Sequence, residues 1–313
     1  MNADQNDSRL INADFWTLDT GIAPGGVSAL DSLGMSENSE LLRSINVVSL
    51  SINTPGPVAA SRLARLGATV TKVEPPTGDP LKIFARGWYD SLSKGQTIVT
   101  LDLKSTDGRA QLDSLLSQAD LLLASYRPSA LARLGLDWKT LHGRFPRLCF
   151  AGIIGYPPPQ EEKSGHDLTY LGETGLVTPP ELPSTLFVDL AGAERCVSQA
   201  LALLLHFART GEAGCALISL SDCAEELSAP VKAGLTNRGG ILGGASPFYG
   251  VYQASEGWVA IAALEPHFAQ RLVSELNIAQ PDHAAFERAF RERSASEWES
   301  WAAERDLPVV RVR

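Results

Sequence analysis

The sequence lacks the features of several large classes of protein. Its 313 residues hold four cysteines, none in CxxC spacing, which argues against a zinc site or a disulfide framework and predicts reduced thiols. The formal net charge is −9 and no basic stripe is present, which disfavours nucleic-acid and anionic-membrane surfaces. The longest apolar run, residues 200–207, is too short to span a bilayer, and the polar, acidic N-terminus is unlike a signal peptide. These absences predict a soluble, cytoplasmic protein that binds neither nucleic acid nor membrane.

The first two thirds of the chain alternate short apolar strands with helices. After a polar N-terminal extension (1–44), the pattern predicts strands at 46–51 and 68–74 with a helix at 57–66 between them. Pro57 suits a first helical turn and Gly67 a helix end. Further strands are predicted at 97–103, 120–125 and 148–154. This is the pattern of a parallel sheet covered on both faces, so we expect an α/β fold with a Rossmann-like large domain over 45–230.

The last third of the chain has a different sequence pattern. A helix is predicted from about Gly192 to Arg209, and its dense apolar positions suggest that it is buried on all sides. From Asn237 onward a glycine-rich link and a hairpin precede polar amphipathic helices at 267–277, 284–293 and 296–304. We expect a smaller α+β domain over 231–313.

Several segments, in order, resemble the family III CoA-transferases (CaiB/BaiF). They are TPGPVAASRLARLGATVTKVEPP (54–76) followed by GDP (78–80), LSKGQTIVTLDLK (92–104), SYRPSALARLGL (125–136), GHD (165–167) with Tyr170, FVDLAG (187–192), GGASPFY (243–249) and AALEPHF (262–268). Together they cover about residues 45–310. Within that family, a histidine before the aspartate of GHD resembles the α-methylacyl-CoA racemases, whereas the transferases place a tyrosine there.

The resemblance implies a set of catalytic residues. Inverting a carbon beside a thioester carbonyl needs two acid/base groups on opposite faces. The racemases imply His166 on one face, Asp189 on the other, and Glu265 hydrogen-bonded to His166. Backbone N–H groups at the start of the helix after Asp189 are the predicted donors to the enolate oxygen. The transferase alternative instead makes Asp167 the acyl-accepting nucleophile.

Coenzyme A, as part of the substrate, accounts for a second set of residues. By the resemblance, Lys72, Lys94 and Arg127 match basic positions of the family's CoA-binding segments, and Lys104 lies nearby. Basic side chains there would contact phosphate oxygens, although ordinary solvated charge explains them equally well. Neither a P-loop nor a GxGxxG motif occurs. No metal and no prosthetic group is expected.

Departures from the family pattern leave other hypotheses open. The loop 155–164 carries three prolines where glycines are expected, and the interval from His166 to Asp189 is short. The chain ends at 307–313, where relatives continue and return to the large domain, so a sheet or flank would be exposed unless the N-terminal extension or another chain covers it. Family members form interlocked homodimers, which would set Glu265 against His166 across the interface. A diverged, CoA-binding subunit paired with a full-length homologue is a further hypothesis.

Overall fold

The computed structural model describes residues 40–313, so the predicted N-terminal extension lies almost wholly outside the described residues. Two compact units are present among the described residues. The first contains residues 40–165 and 189–220, and the second contains 166–188 and 221–313. The domain boundary expected near residue 230 stays a prediction.

The first unit is built on a six-stranded parallel sheet, which confirms the α/β fold class. Its strands run in the order β3-β2-β1-β4-β5-β6. They are β1 Asn46–Leu50, β2 Thr69–Glu74, β3 Thr97–Thr100, β4 Leu121–Ala124, β5 Cys149–Ile154 and β6 Cys215–Ser219. Every residue of β4 and β5 is buried, as a strand covered on both faces requires. Five of these strands match those predicted from the sequence, and β6 was not predicted.

Short helices connect the strands of this sheet. They are α1 Pro55–Arg65, α2 Leu81–Phe84, α3 Arg86–Ser93, α4 Thr106–Leu116, α5 Pro128–Arg133 and α6 Trp138–Arg144. Ser105 caps α4 by accepting the Gly108 N–H, and Asp137 caps α6 by accepting the Thr140 N–H. Apolar residues of α4 and of the central strands share one buried cluster, which includes Leu112, Leu122 and Phe150. This packing fixes the carboxyl ends of the strands, where the loops of interest begin.

The crossover from β1 to α1 is unusually tight. Gly56 lies in the first turn of α1, and a Cβ added there would come within 2.1 Å of Ser51 Cβ. Only glycine fits at this approach of helix to strand. Gly67, at φ 100°, follows the end of α1 and lets the chain turn into β2.

Helix α8 differs from its prediction in two respects. It runs from Phe187 to Thr210 and so begins about five residues earlier than expected. Its apolar density suggested burial on all sides, but that prediction is wrong for its second half, where Leu205 is 52% exposed. On the neighbouring edge strand β6, Leu217 is 50% exposed, so an apolar flank of this unit faces outward.

The second unit combines helices with a small antiparallel sheet in the order β7-β8-β9. Its elements are α7 Asp167–Glu173, α9 Leu220–Leu227, α10 Ala229–Lys232, a π-helical turn Ile241–Ala245, β7 Tyr249–Gln253, β8 Trp258–Ala262, α11 Pro266–Glu275, α12 His283–Phe290, α13 Ala295–Ala303 and β9 Val309–Arg311. An aromatic core of Tyr252, Phe286, Phe290 and Trp298 joins the sheet to the helices. The predicted hairpin and the three C-terminal helices are present. Among the described residues, no helix is long and apolar enough to cross a membrane.

Candidate functional site

The strand order indicates where a ligand-binding crevice lies at the edge of the parallel sheet. In open parallel sheets, ligands bind outside the carboxyl ends of the strands where the order reverses, and here that reversal lies between β1 and β4. The turn after β1, residues 52–54, meets the turn after β4 through Ser125, whose Oγ accepts the Ile52 N–H at 3.2 Å. The geometry therefore makes this edge of the first unit a candidate ligand-binding edge.

Lys72, predicted to contact a CoA phosphate, lies buried beside this edge. Its side chain is 1% exposed, and its Nζ lies 2.5 Å from Asp79 Oδ2 and 3.1 Å from Glu74 Oε1. The ammonium also lies 4.6 Å from the centre of the Tyr89 ring. A direct contact with a phosphate would require Lys72 to leave these partners. Its assignment to CoA binding stays a prediction, and the structure gives it a second possible role.

Glu74 is the hub of the same buried network. Its carboxylate accepts hydrogen bonds from Tyr89 Oη at 2.6 Å and from Lys82 Nζ at 2.7 Å. Burial by itself would raise the pKa of Glu74, but the hydrogen bonds from Lys82, Tyr89 and Lys72 outweigh it, so the pKa lies below its ordinary value. The same pair raises the pKa of Lys82, whose hydrogen bond to Glu74 outweighs its desolvation. Both groups are therefore charged at neutral pH.

Hydrogen bonds join Arg127 and Ser129 to the loop before His166. Arg127 Nη2 donates to Ser164 Oγ at 2.9 Å. Nearby, Glu162 accepts hydrogen bonds from Ser129 N at 2.8 Å and Ser129 Oγ at 2.9 Å. These two hydrogen bonds outweigh a smaller desolvation effect and hold the pKa of Glu162 below its ordinary value, and the charge of Arg127 adds a smaller lowering. The proline-rich loop 155–164 is thus attached to the turn after β4.

Lys94 and Lys104 occupy exposed turns of the first unit. Lys94 follows the last residue of α3, and Lys104 precedes the Ser105 cap of α4. The backbone N–H of Lys104 donates to Asp102 Oδ1 at 2.9 Å. Together with exposed Arg127 these lysines can reach an anionic ligand without breaking a buried contact. Their role in binding CoA stays a prediction.

His166 and Asp167 have different environments although they are adjacent. His166 is the exposed N-cap residue of α7, and its backbone N–H donates to Thr169 Oγ1 at 2.9 Å. Asp167 is only 5% exposed, and its Oδ1 accepts the backbone N–H of Val188 at 2.7 Å. Val188 is the second residue of α8, so Asp167 supplies a carboxylate to one of the unsatisfied N–H groups at that helix start.

Asp189 lies inside the first turn of α8, which corrects one prediction. The helix was expected to begin after Asp189 and to offer N–H groups there to an enolate oxygen. Instead Asp189 is its third residue, and N–H groups beyond the third helical residue bond to carbonyls one turn earlier. Because Asp167 takes the Val188 N–H, that donor is also engaged. Donors after Asp189 are therefore unsuited to an enolate.

Glu265 stands at the N-cap of α11, before Pro266. Its backbone carbonyl accepts the Ala269 N–H at 3.0 Å, and the residue is exposed. Within the part of the chain that the structure describes, no hydrogen bond joins the side chains of Glu265 and His166. The structure thus brings His166, Asp167 and the start of α8 together and leaves the pairing of Glu265 with His166 a prediction.

Asp79 is a buried polar residue to which sequence reasoning gave no role. Its carboxylate accepts N–H groups from Asn53 at 3.1 Å and Leu81 at 2.9 Å, besides its contact with Lys72. The GDP motif at 78–80 was a visible signal, because an aspartate between glycine and proline favours a turn with a side-chain cap. Nothing in the motif indicated that its carboxylate reaches back to the turn after β1. No group of three or more His, Cys, Asp or Glu side chains in the described residues is arranged to hold a metal ion.

Comparisons with known proteins agree with the sequence segments. Over 288 residues the chain is 28% identical to the α-methylacyl-CoA racemase of Homo sapiens, covering 82% of this chain and 74% of the relative. It is 28% identical over 289 residues to the probable fatty acyl-CoA transferase Rv3272 of Mycobacterium tuberculosis, covering 82% of this chain and 73% of the relative. It is also 34% identical over 148 residues to the cinnamoyl-CoA:phenyllactate CoA-transferase of Clostridium sporogenes, covering 43% of this chain and 36% of the relative.

The fold comparison extends this likeness to three dimensions. A crystal structure of Rv3272 superimposes with a TM-score of 0.74 and 25% sequence identity, covering 86% of this chain and 84% of that one. The sequence model of CoA-transferase family III matches residues 42–313. The segments 54–76, 125–136 and 165–167 that carry the resemblance all lie inside this match. The chain therefore belongs to CoA-transferase family III.

Proposed function

We propose that this protein is an acyl-CoA racemase or epimerase, which inverts the α-carbon of a 2-methyl-branched acyl-CoA by proton transfer between two bases. The proposal needs no prosthetic group, because the thioester carbonyl itself stabilises the carbanion as an enolate. The similarity to the human racemase, which spans 82% of the chain, supports it. Similarity of the same degree to a probable fatty acyl-CoA transferase keeps the transferase reaction as the alternative.

The observation that carries the proposal is the contrast between His166 and Asp167. A nucleophilic carboxylate must present an oxygen to the thioester carbon. Asp167 is buried and already accepts the Val188 N–H, which is a structural use of its charge. His166 is exposed beside it and carries an imidazole, the side chain that most often serves as a general base in enzymes.

The proposed mechanism assigns a role to each predicted residue. Neutral His166 removes the α-proton on one face, and the electrons of the C–H bond move into the thioester carbonyl to give an enolate. Protonated Asp189 then returns a proton to the opposite face, so the pair ends with its protonation states exchanged. The reverse direction starts from the exchanged pair. Glu265 would orient the His166 ring, as carboxylates behind catalytic imidazoles do.

Incorporation of deuterium at the α-carbon tests this mechanism. The purified protein is incubated in D₂O with a 2-methylacyl-CoA, and exchange is followed by mass spectrometry or NMR. We expect exchange in the wild type and a loss of about 10²-fold or more in His166→Ala, the size typical of a removed acid/base group. His206→Ala is the matched control, because His206 is an exposed histidine of α8 with no assigned role. Wild-type exchange that persists in His166→Ala would contradict the assignment.

The transferase alternative predicts a covalent acyl intermediate on the protein. If Asp167 accepted the acyl group, an acyl-CoA substrate would leave a mixed anhydride on its carboxylate, which hydroxylamine traps as a hydroxamate. Trapping on Asp167 without α-exchange would replace the racemase proposal with the transferase. Absence of both reactions in a protein that still binds CoA would favour the diverged-subunit hypothesis.

The assembly is a separate part of the proposal. An interlocked homodimer would bring Glu265 of one chain to His166 of the other. Chains carrying His166→Ala and chains carrying Glu265→Ala should then each be inactive alone and partly active after they are unfolded and refolded together. A mixture of His166→Ala and Asp189→Ala chains makes the same test for that pair of residues. It should stay inactive if both residues of a site come from one chain. If the His166→Ala and Glu265→Ala chains form a proven heterodimer that remains inactive, the pairing of these residues across the interface is wrong.

A further inference from the structure

We infer that Asp79, held by Lys72, is a positioning residue that fixes the turn Ile52–Thr54 in the conformation that binds the CoA thioester. This inference rests on the proposed acyl-CoA substrate. It concerns the carboxyl edge of the parallel sheet between β1 and β4, and it assigns an indirect function to a lysine that was expected to contact phosphate.

The Asp79 carboxylate joins three separate segments. Its Oδ1 accepts the N–H of Asn53 at 3.1 Å and the N–H of Leu81 at 2.9 Å, and its Oδ2 lies 2.5 Å from Lys72 Nζ. Asn53 belongs to the turn after β1, Leu81 begins α2, and Lys72 lies on β2. The side chain of Asp79 is fully buried, so these three partners define its position.

The turn that Asp79 holds has a conformation that needs support. Asn53 has φ 67°, in the left-handed region that non-glycine residues adopt only at a cost in free energy. Two partners oppose this cost from different sides, since Asp79 accepts the Asn53 N–H and Ser125 Oγ accepts the Ile52 N–H. Thr54 then leads directly into α1, so the turn decides where the start of that helix lies.

Stability alone is a poor explanation for this arrangement. Burying a lysine and an aspartate costs desolvation free energy for each ion, and apolar replacements of similar volume are often neutral or stabilising. The pair is instead suited to geometry, because a carboxylate with three donors admits few orientations. Asp79 also contributes, after burial, to the raised pKa of Tyr126 in the turn after β4. The charge of Asp79 therefore acts on the turn after β1 and on the turn after β4. These turns flank the strand-order reversal, where ligands bind in such sheets.

The test measures CoA affinity by titration calorimetry, with KM and kcat for acyl-CoA where the enzyme turns over. Asp79→Asn replaces an oxygen acceptor with an amide that cannot satisfy all three donors. We expect CoA binding to weaken about tenfold, which corresponds to about 1.4 kcal/mol of binding free energy, with kcat changed less than KM. Asp90→Asn is the matched control, because Asp90 also pairs with a basic residue, Arg86, but at the surface of α3.

A second pair of variants leaves the buried ions in place. Asn53→Pro removes the N–H that Asp79 accepts and forbids the left-handed φ, whereas Asn53→Gly keeps both the N–H and the conformation. The side chain of Asn53 is exposed, so neither change replaces a buried side chain. The inference expects weaker CoA binding in Asn53→Pro and near wild-type binding in Asn53→Gly. If Asp79→Asn does not fold, this pair decides alone.

The outcomes separate this inference from the proposed function. Folded Asp79→Asn and Asn53→Pro proteins that bind CoA as tightly as the wild type would overturn the inference and leave the proposed function standing. A wild-type protein that does not bind CoA would overturn both. Hydrogen exchange at the Asn53 and Thr54 amides should also rise in Asp79→Asn at temperatures well below its unfolding transition, and unchanged protection there would contradict the positioning role.

Discussion

Replacing Asp167 separates its structural use from a chemical one. In Asp167→Ala the Val188 N–H loses its acceptor, which costs about 0.5–2 kcal/mol as for other helix caps. Loss of the carboxylate charge near the start of α8 adds about 0.3–1 kcal/mol. We therefore expect Asp167→Ala to lose about 1–3 kcal/mol of unfolding free energy. Asp167→Asn keeps an amide oxygen as acceptor and loses only the charge contribution.

The two variants are assayed for thermal unfolding and for α-proton exchange. A loss of 1 kcal/mol lowers Tm by about 2–4 °C in a chain of this size, so Asp167→Ala should melt several degrees lower and Asp167→Asn within about 4 °C of the wild type. If His166 is the base, Asp167→Asn keeps exchange within a few-fold. Asp137→Ala is the control, because it removes a helix cap from α6 at a residue with no proposed role in catalysis. An unchanged Tm in Asp167→Ala would refute the capping argument, and a stable Asp167→Asn protein without catalysis would refute the assignment to His166.

Three further predictions follow from packing and ionisation. Gly56→Ala should fail to fold or lose several kcal/mol because its Cβ would lie 2.1 Å from Ser51 Cβ. Its control, Gly143→Ala, has open space around it inside α6 and should melt at or slightly above the wild-type Tm. Since the pKa of Glu74 is lowered in the folded state, its stabilisation is complete above the unfolded-state pKa and is lost as pH falls through the folded one. Glu74→Gln should be about 3 kcal/mol less stable than the wild type at pH 7. In urea unfolding between pH 7 and 3, its free energy of unfolding should fall less steeply with pH than that of the wild type, and an identical slope would contradict this. Burial raises the pKa of the Cys196 thiol to about 12, so iodoacetamide at pH 8 should label it only after unfolding, and rapid native labelling would show the packing to be wrong.

Local pattern was sufficient to predict the parallel sheet. Strands β4 and β5 are short apolar runs, β1 is mostly apolar, and β2 alternates apolar with polar residues; the chain between them has helical periodicity. The edge strand β6 was missed although residues 215–218 are apolar, because so short an apolar run cannot be told from a buried helix segment by pattern alone. The density of apolar residues in α8 likewise indicated burial on all sides, which holds for Ala193 and Cys196 but not for Leu205.

Interactions distant in sequence account for what could not be predicted at the site. The early start of α8 depends on a carboxylate at Asp167, twenty-one residues before the N–H that it accepts. Lys72 has the composition of a phosphate-binding position, yet its neighbours Glu74 and Asp79 bury it. A sequence reveals which side chains carry charge and which turns they flank. It does not reveal which charges satisfy each other, because this depends on how the strands and loops are packed.

The strand order also bears on how the sheet forms during synthesis. Strand β2 adds beside β1, and β3 adds beside β2; β4 then pairs with the open side of β1, and β5 and β6 extend that side. Each strand therefore joins an edge that already exists, and none has to insert between two paired neighbours. Because domains fold largely in the order in which the ribosome releases them, the sheet can grow outward as residues emerge, and β6 completes it. A pause in translation before residue 215 would leave β5 as an open, wholly apolar edge, which is a template for pairing with another chain.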